Sequence, residues 1–160
     1  MLDDNSDDRQ ILKDIFFKSL ELADPAKKLE KIKIDPPSGI LFFTAVGKGA
    51  GRLAKAFEKS YPGKADGIVV IPENENCDDL GFEVIKATHP IPSQAGLDAS
   101  IKLLKKISKL GKDDLLVFCV SGGASALLPL PPHGFHLEDE IHLNNVLLGA
   151  GLSIKEMNLY

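Results

Sequence analysis

Two glycine-rich segments carry the residue types that gather anions. The first in chemical interest is Val120-Ser121-Gly122-Gly123-Ala124-Ser125-Ala126-Leu127. Adjacent glycines admit backbone conformations in which successive N–H groups converge, and Ser121 and Ser125 add hydroxyl donors, so the loop reads as a cradle for phosphate or carboxylate. The plainer alternative is a Gly-Gly turn that lets a strand become a helix beneath Leu127 and Leu128. A serine at such a turn also suggests a hydrolase nucleophile, but the G-x-S-x-G spacing is absent.

The second segment is Gly47-Lys48-Gly49-Ala50-Gly51-Arg52. Gly47 and Gly49 match the opening of a dinucleotide fingerprint, yet Arg52 occupies the third glycine position and Pro72 disturbs the strand end that would present Glu73 to a ribose. No Gly-Lys-Ser/Thr follows, so it is not a Walker loop either. What remains is a helix N-terminus with free amides and a cation, Lys48, on a tight turn, suited to a phosphate or carboxylate. The alternative is a close-packed turn with a solvated lysine.

Between these loops, Thr88-His89-Pro90-Ile91-Pro92-Ser93 alternates prolines that stiffen the backbone and present His89 to the same region, as a ligand contact or as a structural hydrogen-bond partner. His133 and His136 lack an acid or cysteine to complete a metal set, so no metal site is expected. Near the end, Glu156 and Asn158 are polar enough to orient a hydroxylated substrate or a magnesium ion, though a solvated helix start explains them too.

These residues need a scaffold, and the hydrophobic pattern supplies one. Apolar runs at Ile40–Val46, Gly67–Ile71 and Leu115–Val120 predict strands buried on both faces, and Phe82–Ala87 predicts a half-alternating strand nearer an edge. Helical periodicity runs through Arg9–Leu22, Arg52–Tyr61, a segment capped by Ser93 and closed by Gly111, and Leu137–Leu148. Ala23-Asp24-Pro25 interrupts the first helix, and a short second helix is expected before Ile34. Strands alternating with helices predict an α/β domain, doubly wound and Rossmann-like, with a mostly parallel sheet and helices on both faces. In such sheets ligands collect beyond the carboxyl ends of the strands, where both glycine loops fall.

The formal net charge of −4 leaves no basic field for a nucleic-acid backbone, so nucleic acid is not expected as a partner. Cys77 and Cys119 form no metal or redox spacing, and Cys119 lies in an apolar run as a core residue. The acidic N-terminus does not read as a signal peptide, and Leu115–Val120 is far too short to span a membrane. A cytoplasmic location with no membrane partner is the expectation.

Taken in order, Ala23-Asp24-Pro25, Val46-Gly47-Lys48-Gly49-Ala50, His89-Pro90-Ile91-Pro92, Gln94-Ala95-Gly96, Ser121–Leu127 with Pro129 and Pro131, Leu147-Leu148-Gly149-Ala150-Gly151 and Ile154-Lys155-Glu156-Met157-Asn158 form a set. It resembles the N-terminal domain of the type-2 glycerate kinases, a family also labelled hydroxypyruvate reductase. The resemblance implies transfer of the ATP γ-phosphoryl group to D-glycerate with Mg2+, giving 2-phosphoglycerate. It also implies that Lys48 pairs with a phosphate or the glycerate carboxylate, and that Ser121, Gly122, Gly123 and Ser125 cradle phosphate beside Gly47, Gly49 and His89. Glu156 and Asn158 then sit at the substrate edge.

Two departures accompany the resemblance. Ala124 stands where the family usually has a third glycine, and the family continues beyond the Glu-x-Asn segment into more of the first domain and a second α/β domain. Residues 1–160 are therefore expected to be a partial N-terminal domain. Such a piece is expected to lack kinase activity alone, to expose apolar surface, and to form a homodimer or aggregate through it. An anion- or nucleotide-binding module acting with a partner chain, and a hydroxypyruvate reductase, are the alternative functions.

Overall fold

The computed structural model describes residues 6–77, 79–157 and 159. Helices α1 (Ser6–Ala23) and α2 (Pro25–Leu29) lead into β1 (Leu41–Val46), α3 (Ala50–Ser60), β2 (Ala65–Pro72), β3 (Glu83–Ala87), α4 (Gln94–Ile107) and β4 (Leu115–Val120). Three further helices follow: α5 (Ala124–Leu127), α6 (Leu137–Gly149) and α7 (Ile154–Met157). The strands form one parallel sheet in the order β3-β2-β1-β4. The chain builds outward from β1 through β2 to β3, then α4 carries it back to β4 on the other flank of β1. This reversal is the point at which ligands sit in doubly wound sheets. Val46 pairs with both Val70 and Val120, so β1 and β4 end level and their exit loops leave side by side.

Every residue of β1 is buried, because successive side chains serve two cores. Leu41, Phe43 and Ala45 meet Leu53 and Phe57 of α3, where the Phe43 and Phe57 rings stack at 4.3 Å. Phe42 and Val46 meet Ala99 and Leu103 of α4 together with Leu127 of α5. Each of these large side chains contributes about 1.5–3 kcal/mol on removal from water. Thr44 lies among them, fully buried, and its hydroxyl has no hydrogen-bond partner among the described residues.

One expectation needs correcting, and one helix is placed in a way that periodicity alone does not tell. Leu115–Val120 is not buried on both faces: among the described residues β4 pairs with β1 alone, and Phe118 and Val120 are 49% and 62% exposed. An apolar run does not distinguish an interior strand from an edge strand. The periodicity of α1 is realised as a helix, yet Ile11, Ile15, Phe16 and Leu20 are all exposed, so its apolar stripe is not applied to the sheet. Among the described residues no helix is long and apolar enough to cross a membrane.

Candidate functional site

The exit of β1 is shaped by the exit of β4. Gly47 adopts φ +113°, and a side chain there would run into Ser121, so only glycine lets the two loops touch. Ser121 N–H donates to Val46 O at 2.9 Å, and its hydroxyl donates to the same oxygen at 3.1 Å while accepting the Gly49 N–H at 3.0 Å. Lys48 N–H donates to Gly122 O at 2.9 Å. Gly47 N–H reaches Val70 O and Ala50 N–H reaches Gly47 O. The N–H groups of residues 47–50 thus all have acceptors within the protein. The neighbouring loop takes the Lys48 and Gly49 donors, so at this turn the Lys48 side chain, and not the amides of residues 47–50, is what remains to meet an anion. The Lys48 side chain remains exposed.

The second loop is arranged differently. Gly123 takes the left-handed conformation, φ +87°, at the start of α5. The N–H groups of Gly122, Gly123, Ala124 and Ser125 take no part in the bonds that join the loops, as expected for the first turn of a helix. Measured from where a Gly123 Cβ would stand, His89 Cδ2 and Nε2 lie at 2.8 and 2.9 Å and Lys48 Cε at 3.4 Å. His89 is half-buried and enters from the loop after β3, where its bond to Pro90 is cis and Thr88 Oγ1 donates to Ile91 O at 2.6 Å. Ser93 heads α4 without a side-chain cap; its hydroxyl accepts the Thr88 N–H at 3.4 Å instead.

These groups open onto a cleft of about 940 Å³. Lys48, His89, Gly123 and Ser125 line it, while Gly47, Gly49, Ser121 and Gly122 stand behind them as loop framework. Glu156 does not line the cleft. Its carboxylate accepts from the Ser153 hydroxyl at 2.8 Å and the Ser153 N–H at 2.9 Å, which hold it below the usual carboxylate range. Asn158 lies outside the described residues. The cleft is also lined by residues that carried no site expectation: Leu130, Phe135 and, from α6, Glu140, Leu143, Asn144 and Leu147. The α6 set repeats at i, i+3, i+4 and i+7, a signal readable as one helix face but indistinguishable from a core stripe until the cleft is seen. Loss of solvent pushes the Glu140 carboxyl above its ordinary range. Among the described residues no three His, Cys, Asp or Glu side chains gather to hold a metal.

Residues 11–159 match the family described as a domain of unknown function, DUF4147. The chain belongs to that family. A D-glycerate 2-kinase of Thermotoga maritima is 33% identical to this DUF4147 chain over 153 residues, covering 91% of it and 35% of the relative. A protein of Agrobacterium vitis, provisionally named a hydroxypyruvate reductase, is 32% identical over 151 residues, covering 94% and 34%. The crystal structure of a glycerate kinase from Thermotoga maritima superposes with a TM-score of 0.79 at 32% identity, covering 96% of this chain and 37% of that one. The PH0495 protein from Pyrococcus horikoshii OT3 gives 0.78 at 27% identity, covering 94% and 37%. The DUF4147 chain therefore spans about a third of the length of these relatives.

Proposed function

We propose that the whole protein is a cytoplasmic kinase that transfers the ATP γ-phosphoryl group to D-glycerate, giving 2-phosphoglycerate, and that this segment provides the anion-gathering side of its cleft. The observation that carries the reading is the meeting of Lys48 and His89 over Gly123, in a loop whose Gly122 to Ser125 amides have no acceptor in the loop contacts among the described residues. Phosphoryl transfer depends on neutralising and positioning charge more than on covalent chemistry. The Lys48 ammonium offsets phosphate charge, the amides from Gly122 to Ser125 and the Ser125 hydroxyl donate to phosphate oxygens, and His89 limits where the anion sits. Ser121, Gly47 and Gly49 act as positioning residues that hold Lys48 in place. The glycerate kinase names of the relatives agree with this chemistry.

Magnesium, held by the nucleotide's phosphate oxygens, would offset their charge beside Lys48. A nicotinamide reductase would require the first glycine loop to receive a pyrophosphate, and the occupied amides of residues 47–50 weigh against that. The test is ATP consumption by the whole protein with D-glycerate and magnesium. Lys48→Ala should lower turnover at least about tenfold, or roughly 1.4 kcal/mol of barrier. Undiminished turnover removes Lys48 from the mechanism, and NADH oxidation with hydroxypyruvate without ATP overturns the kinase reading.

A further inference from the structure

We propose that the apolar wall of the cleft is a nucleobase seat in which the exposed ring of Phe135 stacks on an adenine and the Asn144 amide reads its edge. The inference rests on the kinase reading and adds the place of the nucleotide's base.

The cleft lining holds two chemically different sets of side chains. Lys48, His89 and Ser125 suit an anion, whereas Leu130, Phe135, Leu143 and Leu147 form a surface that a three-carbon hydroxy acid has no apolar area to cover. Its volume of about 940 Å³ lies near the upper limit of small-molecule sites. A ligand with a flat, weakly polar ring at one end and negative charge at the other matches both sets at once.

Phe135 is 61% exposed, and its backbone is fixed. Pro131 and Pro132 precede it, Gly134 turns the chain at φ +90°, and the Phe135 N–H donates to Pro132 O at 3.0 Å. A ring presented on so stiff a turn loses little freedom when another ring stacks on it. On α6, Asn144 is the one amide in the lining stripe with Leu143, Leu147 and Glu140. An amide both donates and accepts, which matches the acceptor N7 and donor N6 of adenine, while guanine presents two acceptors on that edge. Glu140, one turn earlier on the same helix face, adds a carboxyl that can accept from an amino or hydroxyl group.

The experiment titrates ATP, GTP and inorganic tripolyphosphate into the whole protein and its variants by calorimetry. Phe135→Ala should weaken ATP about tenfold and leave tripolyphosphate unchanged. Asn144→Asp, which can only accept, should narrow the preference for ATP over GTP. Lys48→Ala should weaken ATP and tripolyphosphate together, reporting the anion end alone. Should wild-type protein bind ATP with an affinity that neither Phe135→Ala nor Asn144→Asp alters, the base seat is overturned while the anion site stands. Unchanged ATP affinity with a lowered melting temperature in Phe135→Ala would show that the wall packs against protein, again overturning it. Absence of binding by both ATP and tripolyphosphate would remove the kinase reading and the seat with it.

Discussion

The Ser121 hydroxyl accepts the Gly49 N–H at 3.0 Å, tying the loop that presents Lys48 to the loop that brings Gly123 and Ser125 to the cleft. The same oxygen donates to Val46 O, so one side chain sets the spacing of both strand exits. A serine that the sequence suggests as an anion contact is built into the frame that holds the contacts.

Ser121→Ala should therefore act on stability and on binding together. It removes two hydrogen bonds and leaves the Gly49 N–H without its acceptor, a loss of about 1–2 kcal/mol. A lowered urea midpoint with unchanged slope, accompanied by weaker tripolyphosphate binding, is the expected result. Loss of binding without loss of stability would make Ser121 a direct ligand contact.

Neighbouring glycines should respond in opposite ways. Alanine at Gly123 meets a left-handed backbone and places its Cβ 2.8 Å from the His89 ring, costing about 1–2 kcal/mol and displacing both His89 and Lys48. Alanine at Gly122 meets no atom within 4 Å and should change stability by less than about 0.5 kcal/mol. Thermal melts and anion titration of the two variants side by side check the contrast.

Thr44→Val should stabilise the protein. The Thr44 hydroxyl is buried without a partner among the described residues, and valine keeps the branched shape that suits a central strand. A gain of about 1 kcal/mol in urea unfolding is expected, and destabilisation would mean that the hydroxyl does have an acceptor.

Asp114 supplies a pH-dependent part of the stability. Its carboxylate accepts the Gly111 N–H at 2.7 Å and the Ile40 N–H at 2.8 Å, which hold it below the usual carboxylate range. Because the folded value is depressed, this contribution is complete above the unfolded value near about 3.9 and disappears as pH falls through the folded one. Asp114→Asn should be less stable than wild type at about pH 7, and the difference should shrink by about pH 3. A deficit that is constant with pH would assign the effect to geometry instead of charge.

Local chemistry made much of the fold readable. Apolar runs and glycine stops place the strands within a residue or two of β1, β2, β3 and β4, and the broken helix at Asp24 follows from Pro25 and from the Asp24 carboxylate that accepts Ala26 N–H. Ile40 falls outside β1 because its N–H turns to Asp114, a partner 74 residues away. The site was readable only where it depends on residue type. Lys48, His89, Gly123 and Ser125 do line one cleft, but the engagement of the residue 47–50 amides and the wall around Phe135 depend on which distant segments come to lie beside them. The exposure of β4 has the same origin, since apolarity reports burial potential and not strand order.

Gly49 and Ser121 are 72 residues apart, and their strands are the first and last of the sheet in chain order. No short stretch can preform this pocket, because joining its halves means closing a loop of 72 residues. Ligand binding and folding are consequently a single linked equilibrium: a phosphate-bearing compound at about 100 times its dissociation constant adds about 2.7 kcal/mol to the folded state. A ligand-dependent rise in melting temperature would thus report the docking of β4 on β1 as directly as it reports the ligand.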